Sequence, residues 1–412
     1  MNSRPSRSVR FRRFVLITLT LLIPLAVLAF HVWITSARGS RQIEQWVARW
    51  SDERLRIEGA AFAFPNRISV QRMEWRDDQG LWLELNGIEA LVPPAALMDR
   101  ELRVRSLTIA RVHLNRLPTS NRPARTPMPI RPPRPFTRIL AEQCEVRQLR
   151  LEPAIAGRHI TGSGFASLNW VAGQPMHLNV SLDIQPDALP PFSAQARMSW
   201  DGIQFELAEA RMTNAVDQFV LRGWQNATND DAAARVEFSV ANIDGYHAVS
   251  RIEGSGPIAG SVDVHGNTSA KTWIIETSLH SDELSFRTST AAGLAVEARV
   301  DIGSTGLLYK ARVAAAQVKL GEWHLRNIST TNHGDLTSHA ISWSVEGNYR
   351  ERQMFNADGD VSYHREAGID HLFISQLRGT WDGTPVALAQ PADIIFSGTT
   401  LRVSAPSIRS DE

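Results

Sequence analysis

Apolar and polar residues alternate with a period of two along most of this chain. In Met176–Ile184 the residues Met176, Leu178, Val180, Leu182 and Ile184 share one parity, and His177, Asn179, Ser181 and Asp183 share the other. Phe192–Trp200 repeats this with Phe192, Ala194, Ala196, Met198 and Trp200, and Ala234–Val240 with Ala234, Val236, Phe238 and Val240. Leu294–Ile302 does so with Leu294, Val296, Ala298, Val300 and Ile302, and Thr399–Val403, read as the last strand, with Leu401 and Val403. Successive side chains of a strand point to opposite faces, so each run predicts a strand with one apolar face. Nearer the amino terminus, Ile68–Val70 opens a strand and Leu81–Leu85 alternates. Glu101–Leu114 is extended but changes parity, which predicts a bulge or short turn. Turn signals are read at Asn86–Gly87, Asp201–Gly202, Gly266–Asn267, Gly347–Asn348, Asp358–Gly359 and Asp382–Gly383. Strands recur about every 10–15 residues without a long helical pattern after Arg100, which predicts an antiparallel, all-β fold.

Four stretches depart from this period. Phe14–Ile34 is an almost unbroken apolar run behind Arg4, Arg7, Arg10, Arg12 and Arg13. At about 21 residues it is long enough to span a bilayer core. The preceding arginines place Met1–Arg13 in the cytoplasm as a basic tail and the rest of the chain across the membrane. Phe14, Leu19, Leu22, Leu28 and the interfacial Trp33 represent this anchor. Cleavage near Thr35–Ala37 as a signal peptide is the alternative, and it exports the chain equally. In Arg41–Trp50 the residues Ile43, Trp46, Val47 and Trp50 recur at helical spacing. They predict a short amphipathic helix that either lies on the membrane surface or caps the folded part. Ala95–Arg100 reads as one or two helical turns after Pro93 and Pro94. Residues 119–137 form a Pro/Arg-rich loop, within a stretch, Pro118–Pro135, that holds seven prolines. A β unit with its helix at 41–118 and a repetitive β region at 138–412 flank that loop.

Composition narrows the function. A net charge of +1 gives no electrostatic footprint for nucleic acid. Cys144 is the single cysteine, so the fold has no internal disulfide. No phosphate loop or GxSxG motif is present. His364, Asp370 and His371 lie close in sequence but lack the spacing of a metal site, and they read as a polar strand face. Sequons begin at Asn179, Asn226, Asn267 and Asn327 and carry weight only in a eukaryotic secretory pathway. The sequence therefore predicts no enzyme, no catalytic residue, no metal and no cofactor.

Each alternating strand needs a cover for its apolar face. Roughly 20 strands form either two or three sandwiches or one elongated, curled sheet of order 100 Å with an apolar lining. Ser199–Ala208 (SWDGIQFELA) and Thr380–Ala389 (TWDGTPVALA) echo each other, as the repeats of an array would. Met176, Leu178, Val180, Leu182, Ala194, Ala196, Met198, Val236, Phe238, Val296, Ala298 and Val300 are the candidate lining.

Residues 41–118 also carry a resemblance. The strand Ile68–Trp75, the segment GLWLELNGIEALV at Gly80–Val92 and the unit PAALMDRELRVRSLTIARVHL at Pro94–Leu114, with the proline-rich break behind them, resemble the amino-terminal region of the TamB family in the AsmA-like superfamily. The resemblance implies a β-taco, a long sheet curled round an apolar groove, behind an inner-membrane anchor. It implies a periplasmic protein that bridges phospholipid between the membranes of a diderm envelope and serves outer-membrane biogenesis. The alternative is an anchored scaffold or chaperone for outer-membrane protein assembly, with Thr399–Val403 as an edge for a client strand. TamB proteins are longer and end in a domain that meets the outer-membrane partner TamA. This chain stops at Glu412, which suggests a fragment, a short paralogue or a truncated product, and a TamA-like partner is the least supported expectation. Phospholipid and the inner membrane are the expected partners.

Overall fold

The computed structural model describes residues 36–410 apart from 64–65, 94, 97–98, 120–130, 133–134, 188, 247–252, 305, 367–368, 398–399 and 405–407. The tail at Met1–Arg13, the apolar run Phe14–Ile34 and most of the Pro/Arg-rich loop lie outside the described residues. Among the described residues no helix is long and apolar enough to cross a membrane. The fold is all-β and divides after Asp187 into two compact units.

The first unit opens with α1 (Ala37–Trp50), the expected amphipathic helix. Ser36 caps it by accepting a hydrogen bond from the Gly39 N–H at 3.1 Å. The strands follow: β1 (Leu55–Glu58), β2 (Ala61–Ala63), β3 (Arg67–Asp77), β4 (Gly80–Leu91), β5 (Glu101–Val104), β6 (Ser106–Leu114), β7 (Arg138–Leu151), β8 (Ile160–Val171) and β9 (Met176–Pro186). A single helical turn, α2 (Pro153–Ala156), joins β7 to β8. β1 and β2 both pair with β3, and β3, β4 and β6 are antiparallel.

The sheet is not wholly antiparallel. β5 and β6 both run parallel to β7. Parallel neighbours need a crossover of a dozen or more residues, and the stretch between Leu114 and Arg138 has that length. Hydrophobic alternation cannot reveal strand direction, so the pattern alone missed this.

The expected hairpin turn at Asn86–Gly87 is also overturned, because both residues lie inside β4. The chain reverses instead at Asp78–Gln79, where the Asp77 carboxylate accepts from the Gln79 N–H at 2.8 Å. Gly87 has φ +62°, and a Cβ there would lie 2.8 Å from the Ala110 Cβ. It marks a line where the apolar set shifts by three residues in four neighbouring strands: Met73 to Val70, Leu85 to Ile88, Val112 to Ile109, Leu149 to Val146. This line, together with the break at Arg105, accounts for the parity change in Glu101–Leu114. Gly87→Ala is expected to cost about 2 kcal/mol, from the left-handed backbone and the contact with Ala110. The check is a lowered urea midpoint at unchanged slope.

The second unit holds β10 (Phe192–Trp200), β11 (Gln204–Thr213), β12 (Gln218–Asn226), β13 (Asp231–Val240), β14 (Ile258–Asn267), β15 (Thr272–Phe286), β16 (Ser289–Gly303) and β17 (Gly306–Leu320). It continues with β18 (Trp323–Gly334), β19 (Ser338–Tyr349), β20 (Gln353–Glu366), β21 (Ile369–Trp381), β22 (Thr384–Leu388), β23 (Ala392–Ser397), β24 (Thr400–Val403) and β25 (Ile408–Ser410). From β10 to β21 each strand pairs antiparallel with the next. β22 and β23 then share the flank of β21, with β24 beside β23 and β25 beside β22. Thr399–Val403 is thus followed by a further strand.

Asp201–Gly202 and Asp382–Gly383 are turns as expected, so both copies of the SWDG/TWDG echo are a strand, a turn and a new strand. Gly266–Asn267 ends β14, and Asn267 accepts from the Ala270 N–H at 2.7 Å in the turn that follows, whereas Gly347–Asn348 and Asp358–Gly359 are not turns but lie inside strands. The reason is packing. A Cβ at Gly347 would stand 2.9 Å from the Phe355 ring, and one at Gly359 would stand 3.1 Å from the Trp343 ring. These glycines let an aromatic side chain lie over the backbone of the next strand.

Candidate functional site

Among the described residues no second layer covers the apolar faces, as a sandwich would require. Strands in either unit pack chiefly against their ladder neighbours, and no large side chain among the described residues is buried to below 2% exposure. The strands instead show alternation of half-buried with exposed residues, cleanest in β9 and through the middle of β16. Each unit is one layer with two unlike faces.

The residues opposite one another on neighbouring strands point to the same face, so the register defines transverse rows. In the second unit one row runs Ala194, Met212, Phe219, Phe238, Gly260, Leu279, Val296, Val313, Thr330, Trp343. The next runs Ala196, Ala210, Leu221, Val236, Val262, Thr277, Ala298, Ala311, Asn332, Ile341, Val361, Ile374. A third runs Met198, Leu207, Gly223, Ala234, Val264, Ile275, Val300, Tyr309, Gly334, His339, Tyr363, Leu372. All eight lining candidates of this unit fall in these three rows. Sequence reading missed every member beyond β16, although the alternation in Lys310–Val313 and Ala340–Val345 is visible once sought.

In the first unit Leu178, Val180 and Leu182 likewise end rows. Val180 stands in line with Ala166, Cys144, Leu107 and Ala90, and Leu182 with Gly164, Val146, Ile109 and Ile88. Leu178 faces Leu168, and Met176 is half-buried at the start of the same strand. Cys144 serves here as a small apolar residue, and burial raises its thiol pKa.

The opposite face of the second unit is a ladder of charge. Arg235, Asp263, Glu276, Arg299 and Lys310 stand in one row. Arg299 reaches Glu276 at 2.9 Å, and Arg235 reaches Asp263 at 3.5 Å. Arg222 donates to Glu209 at 3.0 Å. Such exposed pairs add little stability, but they keep that face in water.

The apolar face of the second unit is closed along one side and open along the other. A 3₁₀ turn, Ile243–Tyr246, folds over its Phe219 side. Phe219 lies 5.9 Å from the Tyr246 ring, 6.0 Å from Phe192 and 6.4 Å from Phe238. Asp217 ties this cap down, accepting from the Tyr246 hydroxyl at 2.6 Å, the Ala241 N–H at 2.7 Å and the Asn214 amide at 2.8 Å. Burial alone would raise the Asp217 pKa, and these donors together hold it below the ordinary value. On the other side a recess of about 820 Å³ opens over Ala232, Gly266, Trp273, Ile302 and Leu307. A recess lined from six consecutive strands requires a curled sheet. Trp200 and Phe205, exposed at 42% and 40%, stand at the strand ends on this side, so Trp200 is less enclosed than its parity predicts.

His364 and His371 face each other across the ladder between β20 and β21. Asp370 is engaged by the Tyr363 hydroxyl at 2.6 Å and by Arg365 at 3.4 Å. The chemistry on offer is therefore a long apolar face, part-open to solvent. No family model, curated protein or solved structure matches the chain.

Proposed function

We propose that this is a membrane-anchored envelope protein that shelters phospholipid acyl chains on its apolar β face, with the chain emerging from the inner membrane at residues 14–34 into the periplasm. The reading rests on one observation, the in-register apolar rows that stay half-open to solvent from β10 to β21. Exposing an acyl chain to water costs about 0.8 kcal/mol per CH₂, on the order of 13 kcal/mol for a 16-carbon chain. A continuous apolar row removes most of that barrier at every step, and headgroups remain in water at the open side. No catalytic residue is required, and lipid moves by exchange of equivalent contacts. The TamB-like order of elements at 41–118 supports the same reading, with service to outer-membrane biogenesis as its purpose.

The test is the lipid content of residues 36–412 purified from a periplasm and measured by mass spectrometry. Bound phospholipid in the parent and little in folded Val180→Asp is the expected result. A well-folded parent free of lipid would overturn the reading.

A second reading, a scaffold for outer-membrane protein assembly, is favoured by β24, which among the described residues pairs with β23 alone. A client strand would add along that edge. Arg402→Pro would then abolish client binding and leave lipid content intact; loss of both together would count against it.

A further inference from the structure

The helix α1 has two faces of different character. Ile43, Glu44, Val47 and Ala48 are half-buried towards the sheet. The Glu44 carboxylate accepts from the Gly59 N–H at 2.8 Å and the Ala60 N–H at 3.3 Å, which fixes the helix to the junction of β1 and β2. The other face presents Arg38, Arg41, Gln45, Trp46, Arg49 and Trp50, all exposed. Trp46 and Trp50 are 65% and 74% exposed and stack on each other at 6.4 Å. No acidic residue shares this face, because Glu44 is turned inward. Two bare tryptophans on a soluble face are a liability unless something covers them.

We infer that this Trp–Arg face of α1 is a docking site for an anionic phospholipid surface, and that it seats the first edge of the sheet against the membrane. Three observations select this occupant. Indole rings settle at the headgroup level, with the ring in the apolar boundary and the N–H in water. Arginines flanking them are drawn to anionic headgroups. The apolar run ends at Ile34 and α1 begins at Ala37, so the helix starts within about 10 Å of where that run leaves the bilayer. The Glu44 clamp then turns a docked helix into a docked sheet, and the apolar rows of the first unit begin at the membrane surface. The inference rests on the reading of residues 14–34 as a membrane span.

The experiment uses the full chain, with Cys144→Ser, reconstituted into vesicles of phosphatidylethanolamine and phosphatidylglycerol. An environment-sensitive fluorophore is attached at Gln45→Cys, or at Val216→Cys, which is 69% exposed in the second unit. Quenching is read from a lipid carrying a nitroxide near its headgroup. Quenching at position 45 should exceed that at 216 by about threefold or more, as insertion at the headgroup boundary requires. Trp46→Ser with Trp50→Ser should return it to the level at 216, and replacing phosphatidylglycerol by phosphatidylcholine should weaken it. Quenching at 45 that the tryptophan replacements leave unchanged, in protein that resists alkaline carbonate extraction, overturns the docking site alone. Release of the protein by carbonate overturns the membrane span, and the docking site with it.

Discussion

Val300→Asp is expected to strip the protein of phospholipid and leave it folded. Val300 lies at the centre of the third apolar row, between Ile275 and Tyr309 on the neighbouring strands. It is half-buried, so an aspartate there reaches water when no lipid is present. The folding cost is about 1–2 kcal/mol, a melting shift of a few degrees. A lipid chain laid across that row would instead have to desolvate the carboxylate. At 1.4 kcal/mol per factor of ten, a penalty of a few kcal/mol lowers occupancy at least about tenfold. Leu284→Asp provides the contrast. Leu284 is 3% exposed in the cluster with Val240 and Ile243, and a charge there should unfold the second unit. Lipid counts and thermal melts on the two variants separate a groove from a closed core. Equal unfolding by both would mean that Val300 is ordinary core.

The largest expected effect on stability away from the apolar rows is at Asp217. Asp217→Ala removes the acceptor of three donors, so the Tyr246 hydroxyl, the Ala241 N–H and the Asn214 amide each lose that hydrogen bond in the cap. The expected cost is about 3 kcal/mol, a fall in melting temperature of about 8 °C for a unit of this size. The pH dependence has a definite sign. The carboxyl is held below its ordinary value, so its contribution is complete above the unfolded pKa of about 3.9 and is lost as pH falls through the folded value. Between pH 6 and pH 3 the parent should therefore lose more stability than Asp217→Ala. Parallel acid sensitivity of the two would show that Asp217 does not hold the cap. Burial, together with the same hydrogen bond, pushes the Tyr246 hydroxyl well above the usual phenol range.

How much of this was legible depends on which signal each feature left. Strict alternation in Met176–Ile184 and Leu294–Ile302 identified strand and apolar face together, because period two leaves no other choice. The helical spacing of Trp46 and Trp50 was equally plain. Direction and register left no local trace. Nothing in Arg138–Leu151 says that it runs parallel to β6, since that depends on a crossover and not on pattern. Glycine misled most. Asn86–Gly87, Gly347–Asn348 and Asp358–Gly359 look like turns, yet one absorbs a left-handed kink and two make room for an aromatic ring of the adjacent strand. The same kink device recurs at Gly293, with φ +62° and a Cβ position 2.8 Å from the Ala316 Cβ, matching Gly87 against Ala110. A one-residue reading cannot tell such glycines from turn glycines, because the demand comes from the neighbouring strand. The choice between sandwich and single layer was likewise invisible, since both bury one face of each strand and differ only in what lies opposite.

Whether lipid lies on the apolar face is read by site-specific photo-crosslinking in cells, with a photoreactive amino acid placed in turn along the second unit of the full chain. The positions are Val236, Ala298 and Val300 in the apolar rows, and Arg235, Arg299 and Lys310 in the charged row of the opposite face. Phosphate-labelled lipid adducts are expected at the first three and none at the last three. Adducts at both faces alike, or at neither, would contradict a lipid site on the apolar face.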